Sequence, residues 1–172
     1  MTVTLKIAVR SIPVLLAALL LAGCGVYSFK DVSIPPNIKT IKVEMIENRA
    51  PYVNPQLAPV LTERLQRNIL SQTKLRRTNS DSADYVISAT ILDYAVTTAG
   101  VANGKEVQNR LTVTVEVTIN DLVNQTEKKH TVSRPFDFPA TFSLQAAESS
   151  ATYANLIRGL ADDIFNRLFS EW

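Results

Sequence analysis

One thiol, two groups of clustered cations and one short serine motif are the features of this 172-residue chain whose types and spacing could do chemistry. The thiol is Cys24, the single cysteine, which closes Leu21-Ala-Gly-Cys24. A thiol is a nucleophile that can be alkylated, and the small side chains of Ala22 and Gly23 leave the backbone open to a peptidase. The cations fall into Lys74, Arg76 and Arg77 on one hand and Lys128, Lys129 and His130 on the other, with Arg110 and Arg134 near the second group in pattern. Such side chains hold phosphates or carboxylates, arginine best because its planar fork binds them bidentately. The alternative reading is a solvated strand edge, since lysines keep edges from pairing with other chains. Asp81-Ser-Ala83 fits a short O-glycosylation pattern of exported bacterial proteins, which makes Ser82 the candidate acceptor.

The sequence offers no set of residues for catalysis. His130 is the only histidine and stands beside Lys128 and Lys129, so it reads as a solvated side chain rather than a ligand or base. There is no second histidine or cysteine to complete a zinc site, no glycine-rich phosphate loop and no nucleophile elbow. Asp162 and Asp163 are neighbours on a predicted helix, where successive side chains diverge by about 100°. They cannot face each other across a substrate and read as a polar helix face. No enzyme is expected, and no cofactor beyond lipid on Cys24.

What must position that cysteine is the segment before it. Lys6 and Arg10 form a basic start, Ile12 to Leu21 is almost unbroken apolar sequence, and small residues lead into Cys24. This is the layout of a secretory signal, too short for the ~20 apolar residues of a membrane-spanning helix. Leu21-Ala-Gly-Cys24 is similar to the bacterial lipobox, in which the thiol takes a diacylglyceryl group and, after cleavage, the new amine an acyl chain. The expected organisation is therefore 1–23 signal peptide, 24–36 acylated tether or added edge strand, and 37–172 a single periplasmic domain. Each buried acyl CH₂ contributes about 0.8 kcal/mol, so several chains hold durably where one does not. Gly25 after the cysteine, where inner-membrane lipoproteins commonly carry Asp, favours the outer membrane. The formal charge of +2 is carried by Lys6 and Arg10, so the rest of the chain is neutral, which argues against nucleic acid as a partner.

Two hydrophobic periods alternate behind the tether. Ile41, Val43 and Met45 share one face of a strand over Lys39–Met45. Leu57, Val60, Leu61, Leu65, Ile69 and Leu70 recur at helical spacing, with Asn54 as N-cap and Pro55 at the first helical position. Asp84–Thr97 is rich in β-formers. The Asn-Gly pair in the loop Gly100–Gly104 marks a hairpin. Leu111, Val113, Val115, Val117 and Ile119 face opposite to Thr112, Thr114, Glu116 and Thr118. A third strand follows from about Thr126 to Arg134 and ends at the prolines. Tyr153, Ile157, Leu160, Ala161, Ile164, Leu168 and Trp172 stripe a last helix from about Gln145. The expected fold is α+β: a two-layer sandwich, two helices packed on one face of a mostly antiparallel four-stranded sheet.

Cys24-Gly-Val-Tyr-Ser-Phe29, Ile34-Pro-Pro-Asn-Ile-Lys-Thr-Ile-Lys-Val43, the helix carrying Pro55-Gln-Leu57 and Thr62-Glu-Arg-Leu65, and Ala83-Asp-Tyr-Val-Ile-Ser-Ala-Thr-Ile-Leu-Asp-Tyr94 together resemble LptE-family lipoproteins of Bacteroidetes. The resemblance runs through nearly all of the chain after Cys24. It implies helices on one face of a sheet, a place in the lumen of the outer-membrane β-barrel LptD, and a part in inserting lipopolysaccharide into the outer leaflet. It also implies lipid contact through basic residues, for which Arg110, Lys128, Lys129 and Arg134 are the candidates here. The pattern over Thr62–Leu65, Thr78 and Ala83–Ile91 is also similar to LpoB-type activators of peptidoglycan synthases and to CsgG-type secretion subunits. An LpoB-like protein needs a long linker across the periplasm, whereas about a dozen residues here reach at most ~40 Å. A CsgG-like subunit needs extra membrane-spanning strands.

Overall fold

The computed structural model describes residues 34–170. Cys24, the signal-like segment, most of the tether and Trp172 lie outside the described residues. The chain forms β1 (Thr40–Val43), β2 (Glu47–Asn48), α1 (Leu57–Gln72), β3 (Arg76–Arg77), β4 (Tyr85–Ala102), β5 (Lys105–Asp121), β6 (Thr126–Pro139), α2 (Leu144–Glu148) and α3 (Ala151–Phe169). Six strands make one sheet in the order β3-β1-β4-β5-β6, with β2 also paired to β4. β4, β5 and β6 are the expected antiparallel meander, but β1 runs parallel to both β3 and β4, and β2 parallel to β4. The sheet is thus mixed and six-stranded rather than four-stranded and mostly antiparallel. The connection explains the difference: the crossover from β1 through α1 is long enough to bring the chain back in the same direction. The two extra strands, β2 and β3, are each only two residues long, too short to show a period.

The predicted strand over Lys39–Met45 ends early for a physical reason. Val43 pairs with Ile87 in β1, whereas Glu47 pairs with Thr90 in β2, so one extra residue is accommodated between them. That residue shifts the phase: Ile46 is buried and Met45 is 65% exposed. The hydroxyl of Thr62 on α1 accepts the Ile46 N–H at 3.0 Å and donates to the Ala58 carbonyl at 2.7 Å. A backbone donor freed by the break is thereby satisfied inside the core. At the other end of β1, Asp84 Oδ2 accepts the N–H groups of Lys39 and Thr40, both at 2.8 Å, and the Asp84 N–H donates to Thr40 Oγ1 at 2.9 Å. Those backbone donors, Lys39 first, hold the Asp84 carboxyl below the usual carboxylate range.

Asn103 and Gly104 alone turn the β4–β5 hairpin, with φ of 50° and 72°. Two positive values match the type I′ turn that suits the twist of a hairpin. Gly100, Val101 and Ala102, expected in the loop, continue β4 instead. The β5–β6 loop is organised by Asp121, whose Oδ1 accepts the N–H groups of Val123 at 3.0 Å and Asn124 at 2.8 Å.

One sheet face carries Tyr85, Ile87, Ile91, Leu111, Val113, Val115, Val117 and Phe136, all buried in a single core with Leu57, Leu61, Leu65 and Ile69 of α1 and Leu160, Ile164 and Phe165 of α3. Both long helices cover this face, as expected. Val60 and Leu70 fall off the buried side of α1 and are 38% and 45% exposed. Helix α1 starts at Leu57 rather than Pro55; Asn54 Oδ1 accepts the Gln56 N–H at 2.9 Å, a turn ahead of the helix instead of a cap on it. The last helix is two helices. Ser143 caps α2 through the Ala146 N–H and Ser150 caps α3 through the Tyr153 N–H, so the second cap marks a new helix start.

Candidate functional surfaces

The sheet face turned away from the helices is polar and regular. Thr112, Thr114, Glu116 and Thr118 of β5 stand beside Lys129, Thr131, Ser133 and Asp137 of β6, because alternate residues of a strand share a face. Thr114 and Ser133 hydroxyls meet at 2.8 Å, Lys129 Nζ pairs with Glu116 at 3.1 Å, and Arg110 holds Asp137 bidentately at 2.6 and 2.8 Å. The Arg110 guanidinium keeps the Asp137 carboxyl below its ordinary range, chiefly through that hydrogen bond. The Arg110–Asp137 and Lys129–Glu116 pairs neutralise each other, and hydroxyls fill the places between them.

The four basic candidates do not converge. Arg110 and Lys129 lie on the open face, but eight positions apart along β6, about 26 Å. Lys128 and Arg134 lie on the helix-covered side, since neighbouring strand residues point oppositely. Arg134 Nη1 donates to Asp163 Oδ2 at 2.6 Å. Its guanidinium crosses α3 over Gly159, where any Cβ would overlap its Cζ, Nε and Nη2. Lys128 borders a small cavity of about 170 Å³ with Tyr85, Ile119, Asp121, Leu168 and Phe169.

The remaining sequence candidates have separate places. Arg76 and Arg77 form the edge strand β3, at the opposite margin of the sheet from β6. Ser82 sits exposed in a turn, its hydroxyl 2.7 Å from that of Ser80. Asp162 accepts a hydrogen bond from Asn68 Nδ2 at 2.7 Å while Asp163 takes Arg134, so the adjacent acids serve two different partners. His130 is half-buried on β6. Among the described residues no group of His, Cys, Asp and Glu could hold a metal, and no helix is long and apolar enough to cross a membrane.

A buried polar chain escaped the sequence reading. The Tyr94 hydroxyl donates to Glu148 Oε1 at 2.5 Å, the Tyr94 and Tyr153 hydroxyls are 3.2 Å apart, and Asn54 Nδ2 donates to the Tyr153 oxygen at 3.4 Å. It ties the approach to α1, strand β4 and helices α2 and α3. Burial pushes the Tyr153 hydroxyl up to about 12 and raises Tyr94 further. Both phenols stay neutral and act as fasteners. Tyrosines in an apolar stripe carry no local sign that their oxygens will meet.

Comparison with known proteins decides the family. The sequence profile of LptE, described as lipopolysaccharide-assembly, matches residues 38–168. The chain belongs to the LptE family. LptE proteins are non-enzymatic lipoproteins of the bacterial cell envelope that act with LptD in lipopolysaccharide assembly. The fold is similar to that of a DUF330 protein from Xanthomonas campestris, at 12% identity and a TM-score of 0.50, over 80% of this chain and 90% of that one. Rare lipoprotein B from Shewanella oneidensis aligns at 15% identity over 74% of this chain and 92% of its own, with a TM-score of 0.46. A lipoprotein from Caulobacter crescentus aligns at 18% identity over 72% and 87%, with a TM-score of 0.45. Among curated proteins none matches.

Proposed function

We propose that this LptE-family protein is anchored to the outer membrane by diacylglyceryl and acyl lipids on Cys24, and that its folded domain plugs the LptD barrel. There it supports barrel assembly and the insertion of lipopolysaccharide into the outer leaflet. The family match over residues 38–168 carries this reading. The open sheet face supports it, because hydroxyls and internally paired charges suit the polar lumen wall of a large barrel.

The test is co-purification in mild detergent from outer membranes. A stoichiometric complex with LptD is the expected result, and a monomer without a barrel partner overturns the reading. Cys24→Ala is expected to release the protein from outer membranes washed in high salt; a variant that still floats with them places the anchor elsewhere.

Contact of Arg110, Lys128, Lys129 and Arg134 with lipopolysaccharide belongs to the same proposal, as does O-glycosylation of Ser82. The four cations are split between two faces, so Arg110→Ala with Lys129→Ala and Lys128→Ala with Arg134→Ala are separable tests. Weaker lipopolysaccharide binding in one pair locates the contact on that face. Unchanged affinity in both removes these residues from it.

A further inference from the structure

The end of the domain at which the described chain begins differs from the opposite end. Pro35 borders the cavity formed with Tyr85, Ile119, Leu168 and Phe169, so the tether enters beside the start of β4 and the end of α3. The β5–β6 loop lies at the same end, because Asp121 pairs with Tyr85 and the Leu122 N–H donates to the Asp84 carbonyl at 2.9 Å. The Asn103-Gly104 turn is at the far end of β4, an 18-residue strand of roughly 56 Å.

Leu122 and Val123 stand at the tip of the β5–β6 loop, 48% and 47% exposed. Turn positions ordinarily carry polar residues, glycine or proline. Here two adjacent aliphatic side chains are presented on a polar frame. Asp121 Oδ1 accepts the N–H groups of Val123 and Asn124, and its Oδ2 accepts the Asn124 side-chain amide at 2.6 Å. The frame fixes the loop without burying either aliphatic side chain. The charge around the loop suits a phospholipid surface. Lys39, Lys74, Arg76, Arg77 and Lys128 are exposed at this end, against the carboxylates of Asp84, Asp121 and Glu127, while Asp81 is answered by Lys42. Among the described residues the balance is positive, so head groups that are neutral or anionic are not repelled.

The length of the tether supplies the remaining argument. Cys24 and Ile34 are ten residues apart, a reach of at most ~35 Å. Lipid on Cys24 therefore keeps this end of the domain beside the leaflet, where a contact too weak to hold a free protein becomes intramolecular. Apolar area is what binding at the head-group boundary scales with, and Leu122 and Val123 offer it. We propose that the tether end of the domain rests on the leaflet that carries the Cys24 lipids, with Leu122 and Val123 inserted at the head-group boundary and the Asn103-Gly104 turn held away from it. The proposal rests on the lipid anchor and does not depend on the barrel.

The test reconstitutes the full-length lipoprotein into vesicles of phosphatidylethanolamine and phosphatidylglycerol containing a spin-labelled phosphatidylcholine. Asn124→Cys and Asn103→Cys carry a thiol-linked fluorophore at the two ends of the domain, and the unsubstituted protein controls for labelling of Cys24. Emission from position 124 is expected to be quenched by the spin-labelled lipid and emission from position 103 to be unchanged. Adding Leu122→Asp and Val123→Asp to the Asn124→Cys protein is expected to abolish the quenching, which separates insertion by these side chains from insertion by the dye. Flotation of the same samples reports the anchor independently. Protein that floats with the vesicles but is unquenched at position 124, is quenched at both ends, or is quenched equally with both aspartates present overturns the proposal and leaves the anchor standing. Protein that does not float overturns the anchor reading, and the proposal with it.

Discussion

A single hydroxyl fixes where the first strand breaks. Thr62 Oγ1 is the partner of a buried backbone donor, Ile46 N–H, and also donates to its own helix. Thr62→Val keeps the shape and removes both bonds, so a destabilisation of about 1–3 kcal/mol is expected, the cost of leaving a buried donor unpaired. Thr62→Ser should recover most of it; denaturant unfolding of the three proteins measures both effects. Asp84 gives a prediction in pH. Its carboxyl is depressed in the folded state, so its contribution is present above the ordinary aspartate value of about 4 and is lost as pH falls through the lower folded value. Asp84→Asn is therefore expected to be less stable at neutral pH and to show a flatter loss of stability in acid, read from unfolding midpoints between about pH 2 and 6. Neither role was legible in the sequence. Thr62 was one polar residue in a helix, and the partners of Asp84 lie 45 and 44 residues away.

At the scale of elements, Arg134 and Gly159 show strand and helix fitted to each other. A glycine inside an exposed helical turn costs about 1 kcal/mol relative to alanine, and here its missing side chain makes room for a guanidinium bound to Asp163. Gly159→Ala should be nearly neutral in the parent protein, since the helix gains while the displaced pair loses under about 1 kcal/mol at this half-exposed site. In an Arg134→Ala background the same change should stabilise by about 1 kcal/mol. A double-mutant cycle measures the difference, and identical effects in both backgrounds would show that the two residues do not interact. The sequence pattern found β4, β5, β6 and both long helices, because each buries one face and so repeats at its own period, but it stopped β6 at Arg134, whereas the strand runs on through Pro135 to Pro139 at the edge of the sheet, where a proline is tolerated. It ran α2 into α3 because the apolar stripe continues past Ser149 and Ser150, and only the cap hydrogen bonds mark the break.

For the whole molecule, the sheet has one apolar face closed by helices and one polar face left open. Thr114→Arg with Ser133→Arg tests what the open face is for. Both side chains are outside the core; because they stand directly opposite each other and lose their hydroxyl contact, a destabilisation of about 1 kcal/mol is expected, which leaves the domain folded and is checked by denaturant unfolding. Under the plug reading two added cations on this face should sharply reduce recovery of LptD with the protein, measured by quantitative co-purification. Full recovery would assign the barrel contact to another surface.

What the sequence by itself determined was local: alternation over Leu111–Ile119, helical spacing over Leu57–Ile69, and the Asn103-Gly104 turn. Each depends on neighbours along the chain, where period and turn chemistry are set by backbone geometry. Only the tertiary structure decided the parallel pairing of β1, the edge strand β3, the phase shift at Ile46 and the division of the basic residues between two faces. Those depend on which distant segments meet and in what register. A lysine pair reads as one patch in a sequence, but a strand sends Lys128 and Lys129 to opposite sides of the sheet.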